Sequence, residues 1–201
     1  MRDAATAMDA ASAMQQTGRR SITKGNTMNR RIAAVLAAGL FIAGAGVGYA
    51  AQKLAPALYH GKAAPDAARA LLEAAREQAG DDGSWELIGI ARIHYLAGQK
   101  AEGQAIFDSL LAGDADDSDV FRIARVYREA GEWAKAKPLF DRYLSTNPED
   151  EKALAEVGAF YLLNGDRAGA ERLFDRSFAV TSEVWATIAA AGAYLGVAPQ
   201  E

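Results

Sequence analysis

Two hydrophobic patterns divide the chain. Positions 32–51 read IAAVLAAGLFIAGAGVGYAA, twenty residues without a charge. From position 66 onward the apolar residues instead recur every three to four places, which puts them on one face of a helix and predicts a succession of amphipathic helices. The breaks between these helices repeat: Ala97-Gly98-Gln99, Ala130-Gly131-Glu132 and Asn164-Gly165-Asp166 set their glycines 33 and then 34 residues apart. A glycine ends a helix cheaply because φ > 0 costs little without a Cβ, and the polar residue after it opens the next helix. The predicted unit is helix, tight turn, helix, and its period signals an all-α stack of helical hairpins.

Each unit also alternates small and large side chains in a fixed order. Positions 117–150 carry Val120, Ile123-Ala124 and Tyr127 in the first helix, then Ala136, Phe140 and Pro148. Positions 151–184 carry Leu154, Val157-Gly158, Tyr161, Ala170 and Phe174, with Ser182 where the proline would fall. The first unit, 84–116, is more worn: Leu87, Ile90-Ala91, His94, Gly103 and Phe107. Small residues let paired helices approach, large ones fill the crossing, and Pro148 stops a helix because it lacks an N–H. Taken together, these residues resemble the tetratricopeptide repeat (TPR), whose pattern is W-x-x-L-G-x-x-Y, then A-x-x-x-F, then Pro. The resemblance covers 66–196 and implies a TPR-like α-solenoid of stacked hairpins. A single helix at 66–78, with Ala67, Ala70, Leu71, Ala74 and Ala75 on one face, is expected to precede the first unit. A cap helix over 183–195, with Ile188, Ala191-Gly192 and Leu195 in the repeat's apolar places, is expected to close the array. Pro138, about one turn into a predicted helix, is expected to cost a backbone bond or kink it.

Charge changes how the two parts are placed. Positions 1–62 hold eight Lys/Arg against two Asp/Glu, or +6, and positions 63–201 hold fourteen against twenty-four, or −10. An acidic folded part argues against nucleic acid, which demands clustered positive charge. The 32–51 stretch, preceded by Arg30 and Arg31 and followed only by Lys53, is long enough as a helix to span a bilayer core of roughly 30 Å. The positive-inside rule then keeps 1–31 in the cytoplasm and sends the acidic part into the periplasm, as a single-pass inner-membrane protein. A cleaved signal peptide is the alternative, since Gly48-Tyr49-Ala50 offers small residues for a signal peptidase, and it would leave a soluble periplasmic protein. All four methionines fall at positions 1–28, so Met28 is read as the true start, with 1–27 untranslated. Gly44 and Gly48 form a small-xxx-small pair that could bring two spans together. Positions 52–65, with Pro56 and Gly61, are read as a linker.

The chemistry is that of a binding protein. With no cysteine, thiolate metal sites, a Cys nucleophile and disulfides are excluded. Nothing matches a nucleophile elbow, a Walker loop, a dinucleotide fingerprint or a zincin motif, so no enzyme, metal or cofactor is expected. His94 falls in an apolar place and is read as a packed residue. The acidic run 114–119 lacks the EF-hand arrangement and is read as a helix cap. In the TPR family the first helices of successive repeats line a concave groove. Carried onto this sequence, the groove-lining places are Trp85, Ile88, Arg92 and Tyr95; Ser118, Phe121, Arg125 and Arg128; and Lys152, Ala155, Ala159 and Leu162. Arginines beside aromatics suit a peptide's carboxylates, although the same arginines could simply pair with nearby acids. The expected function is a protein or peptide-binding scaffold or assembly factor. The architecture resembles the TPR subunits that hold apocytochrome during cytochrome c maturation or serve envelope polysaccharide export. Self-association through Trp85 and Trp185 is a further expectation.

Overall fold

Residues 54–113 and 115–200 are described in a computed structural model. The expected cytoplasmic segment 1–31 and the 32–51 span lie outside them. Among the described residues no helix is long and apolar enough to cross a membrane. A 3-10 turn at Pro56–Leu58 leads into eight α-helices with no strand among the described residues: α1 (Ala64–Ala79), α2 (Ser84–Leu96), α3 (Lys100–Ala112), α4 (Asp117–Glu129), α5 (Trp133–Thr146), α6 (Glu151–Leu163), α7 (Arg167–Val180) and α8 (Val184–Tyr194). The fold is all-α, as the apolar spacing requires. α1 begins at Ala64, two residues before the expected start, and Pro65 in its first turn supplies a preset φ where the backbone N–H has no helical partner anyway.

The turns repeat in detail. Gly98, Gly131 and Gly165 all have positive φ, and the residue after each donates its N–H five residues back: Gln99 to His94, Glu132 to Tyr127 and Asp166 to Tyr161, at 2.8–2.9 Å. Each glycine also bonds back to the third carbonyl before it, so all three are Schellman closures. A fourth copy follows α8, where Gly196 has φ 79° and Val197 bonds to Gly192 at 2.8 Å.

Helices pair as α2 with α3, α4 with α5 and α6 with α7, and α8 lies against α6 as closely as hairpin partners do. Small residues make the crossings. A Cβ on Gly103 would lie 2.6 Å from the Ala91 carbonyl, and one on Gly158 would lie 2.7 Å from the Phe174 ring. Between the first and second hairpins the rings of Tyr95, Phe107 and Tyr127 sit with centroids 5.4–5.7 Å apart. Between the second and third, Phe140 meets Phe160 at 5.4 Å. Fully burying one such ring stabilises by about 1.5–3 kcal/mol, so the core is a file of aromatics running through the stack.

Carboxylates open the helices. Asp116 accepts from the Asp119 N–H (2.8 Å), Asp150 from Ala153 (3.0 Å) and Asp166 from Gly169 (2.8 Å). The acidic run therefore caps α4, as expected, with Asp114 outside the described residues. Asn147 and Pro148 end α5, whereas α5 continues through Pro138, which is exposed and, having no N–H, costs the helix one backbone bond. Two expectations are corrected. His94 is half-exposed, its Nδ1 2.6 Å from Gln99 Oε1, while the adjacent Tyr95 takes the core. In α8 the buried residues are Ala186, Ala190 and Ala193; Ile188 and Leu195 face outward. α6 and α8 pack closely and both bury alanines, Ala155 and Ala159 on α6 and Ala186, Ala190 and Ala193 on α8, so a close approach suits the small face and leaves the large residues out.

Candidate protein-binding surface

The first helices α2, α4 and α6 carry the residues expected to line a groove, and the stacking sorts them. Ile88, Tyr95, Phe121, Ala155 and Ala159 are buried. Apolar side chains at these places are worth more as core than as open surface. Trp85 is about half exposed, Lys152 is exposed, and Arg92, Ser118, Arg125, Arg128 and Leu162 are partly covered.

The arginines are held by acids on the next first helix. Arg92 makes a two-pronged pair with Glu129, its Nε donating at 2.7 Å. Arg125 does the same with Glu156, at 2.7 and 2.5 Å. Both pairs tie one repeat to the next in the bidentate geometry that suits guanidinium and carboxylate. The Glu129 contact holds the Arg92 guanidinium above its ordinary range. Aromatic faces take the remaining cationic surface: Arg122 lies 3.5 Å from the Trp85 ring centre, Arg125 4.9 Å from Phe121 and Arg128 4.5 Å from Phe160. Burial pushes the Arg128 guanidinium down. Lys152 stands apart from this group and borders a cleft beside α8.

A second polar cluster joins the first and second hairpins beside the turns. Glu132 accepts from Tyr95 Oη (2.5 Å), from Lys135 (2.8 Å) and from Lys100. Lys135 also donates to Tyr95 Oη at 2.8 Å, and Gln104 donates to Tyr127 Oη at 2.7 Å. Three donors hold the Glu132 carboxyl down at about 2, and the same contacts hold the Lys135 ammonium above its ordinary range.

Arg122, Glu129 and Glu156 enter the surface without having been singled out in the sequence. Arg92 and Glu129 are 37 residues apart and Arg125 and Glu156 are 31 apart, so no common spacing marks the pairs. Among the described residues no three His, Asp or Glu side chains converge on one point. Comparison with protein-family models, curated proteins and solved structures yields no match. What the surface offers is paired arginines and a half-exposed aromatic ring, Trp85.

Proposed function

We propose that this chain is a TPR-type scaffold that binds a protein or peptide partner along α2, α4 and α6, with no catalytic role of its own. The observation that carries the reading is the recurrence of one hairpin with one Schellman turn at Gly98, Gly131 and Gly165. Such stacks build extended surfaces whose side chains vary while the backbone repeats. Residues 32–51 carry the array to the periplasmic face of the inner membrane as an anchor, or release it as a soluble periplasmic protein if they are cleaved as a signal. Trp85, Arg92, Arg125, Arg128 and Lys152 supply the partner contacts. Partner carboxylates exchange with Glu129 and Glu156 for the same guanidinium forks.

Photo-crosslinking in intact cells from a reactive residue placed at Ser118, followed by mass spectrometry, tests this. The expected result is one dominant polypeptide adduct. Replacing Arg92, Arg125 and Arg128 by Gln is expected to remove it. Glu129→Gln and Glu156→Gln are added in the same chain so that neither acid is left without its cation. Undiminished capture with a native circular dichroism spectrum would sink the assignment to this face.

A further inference from the structure

Positions 184–200 contain no charged side chain, seventeen residues in a folded part that otherwise carries a net charge of −10. These residues make α8 and the segment after it. Its small face is used up against α6, and its large side chains are left outside: Trp185 is 64% exposed and Leu195 82%, with Val184, Ile188 and Val197 beside them. Val197 bonds back to Gly192, and the segment 197–200 walls a cleft of about 400 Å³ lined by Trp185, Ile188, Gly192, Val197 and Pro199, with Lys152 at its border. Trp185 differs from Trp85 in one respect that matters. The Trp85 ring is already covered by the Arg122 guanidinium, whereas Trp185 has neither a ring nor a cation against it among the described residues.

We infer that α8 is the contact between two copies of this chain, paired about a two-fold axis, with Trp185 of each copy entering the cleft of the other. Two features of the surface select a second copy over a foreign partner. An isologous contact needs a projection and a receiving hollow within one patch, and here the exposed Trp185 is itself part of the cleft's wall. Two acidic copies also repel wherever charged faces meet, and this uncharged face is where that repulsion is least. α8 is the last helix among the described residues, and its outer face is apolar. Apart from Lys152, which borders the cleft, the contact is separate from the surface bearing Trp85, Arg92, Arg125 and Arg128, so changes at those four residues leave it intact.

The absence of cysteine makes the test direct, because one introduced thiol is the only thiol in the chain. Full-length chain carrying Ile188→Cys, purified in detergent and oxidised with copper phenanthroline, is expected to form a covalent dimer. Glu86→Cys, at the other end of the array, is expected to stay monomeric. Adding Trp185→Glu to Ile188→Cys is expected to lower the dimer yield at least about tenfold, the loss typical of a central tryptophan at an interface. Should Trp185→Glu disturb the circular dichroism spectrum, Leu195→Glu, which lies beyond the end of α8, serves in its place. Equal dimer yields from the two thiol positions, a yield unchanged by both Glu variants, or an Ile188→Cys adduct formed only with a different protein or with added lipid vesicles would each overturn the inference.

Discussion

Glu132 takes three side-chain donors at once, and its position explains them. It follows the Schellman glycine Gly131, so its side chain leaves the turn toward the preceding hairpin, where Tyr95 and Lys100 wait and Lys135 returns from the next helical turn. These contacts lower its pKa from an ordinary 4.5 to about 2. A carboxyl depressed in the folded state stabilises fully above its unfolded pKa and loses that stabilisation as the pH falls through the folded one. The stability difference between the native chain and Glu132→Gln is therefore expected to be constant near neutrality and to shrink between pH 4.5 and about 2. Lys100 and Lys135 are both more than half exposed, so solvent screening limits the neutral-pH difference to about 1 kcal/mol. Urea melts at pH 7 and pH 3 measure it. A difference that grows with acid would mean that the carboxylate repels its surroundings.

At the scale of the helix, three glycines with different jobs give opposite expectations for one substitution. Gly158 lies where α6 crosses α7, and a Cβ would meet the Phe174 ring at 2.7 Å, so Gly158→Ala is expected to cost about 1–3 kcal/mol by overpacking. Gly131 has open space but φ 75°, so Gly131→Ala is expected to cost about 1–2 kcal/mol through backbone strain. Gly89 lies inside α2 with nothing within 4 Å and an ordinary φ, so Gly89→Ala is expected to stabilise by about 0.5–1 kcal/mol. Thermal melts of the three variants should order them in that way; a stabilising Gly158→Ala would show that the crossing has slack. The sequence pattern marks the first two positions correctly. Gly131 belongs to the periodic punctuation and Gly158 to a small place in an otherwise large series, both being local signals. It fails at α8, because whether Ala186 or Ile188 turns inward depends on the alanines of α6, thirty or so positions away and in no repeating relation to them. The same limit applies to the proposed surface. Repeat spacing picks out the face bearing Arg92, Arg125 and Arg128, but burial of Ile88, Tyr95 and Phe121 and capture of the arginines by Glu129 and Glu156 are set by how hairpins stack.

For the whole molecule, a stack in which each hairpin touches only its neighbours has a stability that depends on position along it. α4 has a hairpin on each side and α6 lies between the second hairpin and α8, and the two contribute most of the fully buried side chains, among them Val120, Ile123, Leu154, Val157 and Phe160. Among the described residues α1 packs against α2 and touches the 3-10 turn, and none of its residues is buried; Ala67, Ala70, Leu71, Ala74 and Ala75 are each only partly covered. Opening α1 therefore exposes little new apolar surface, whereas opening α6 exposes the Phe140, Phe160 and Phe174 contacts together. Amide hydrogen exchange of the native chain is expected to be fastest in α1 and slowest in α4 and α6. α8 is the informative case, since its alanine face is buried on α6 while its outer face is open. If two copies pair through it, its exchange slows as protein concentration rises, while α1 is unaffected. Protection of α8 that is independent of concentration, together with protection of α1 equal to that of α6, would mean that the array unfolds as one block and that its ends are covered by something other than a second copy.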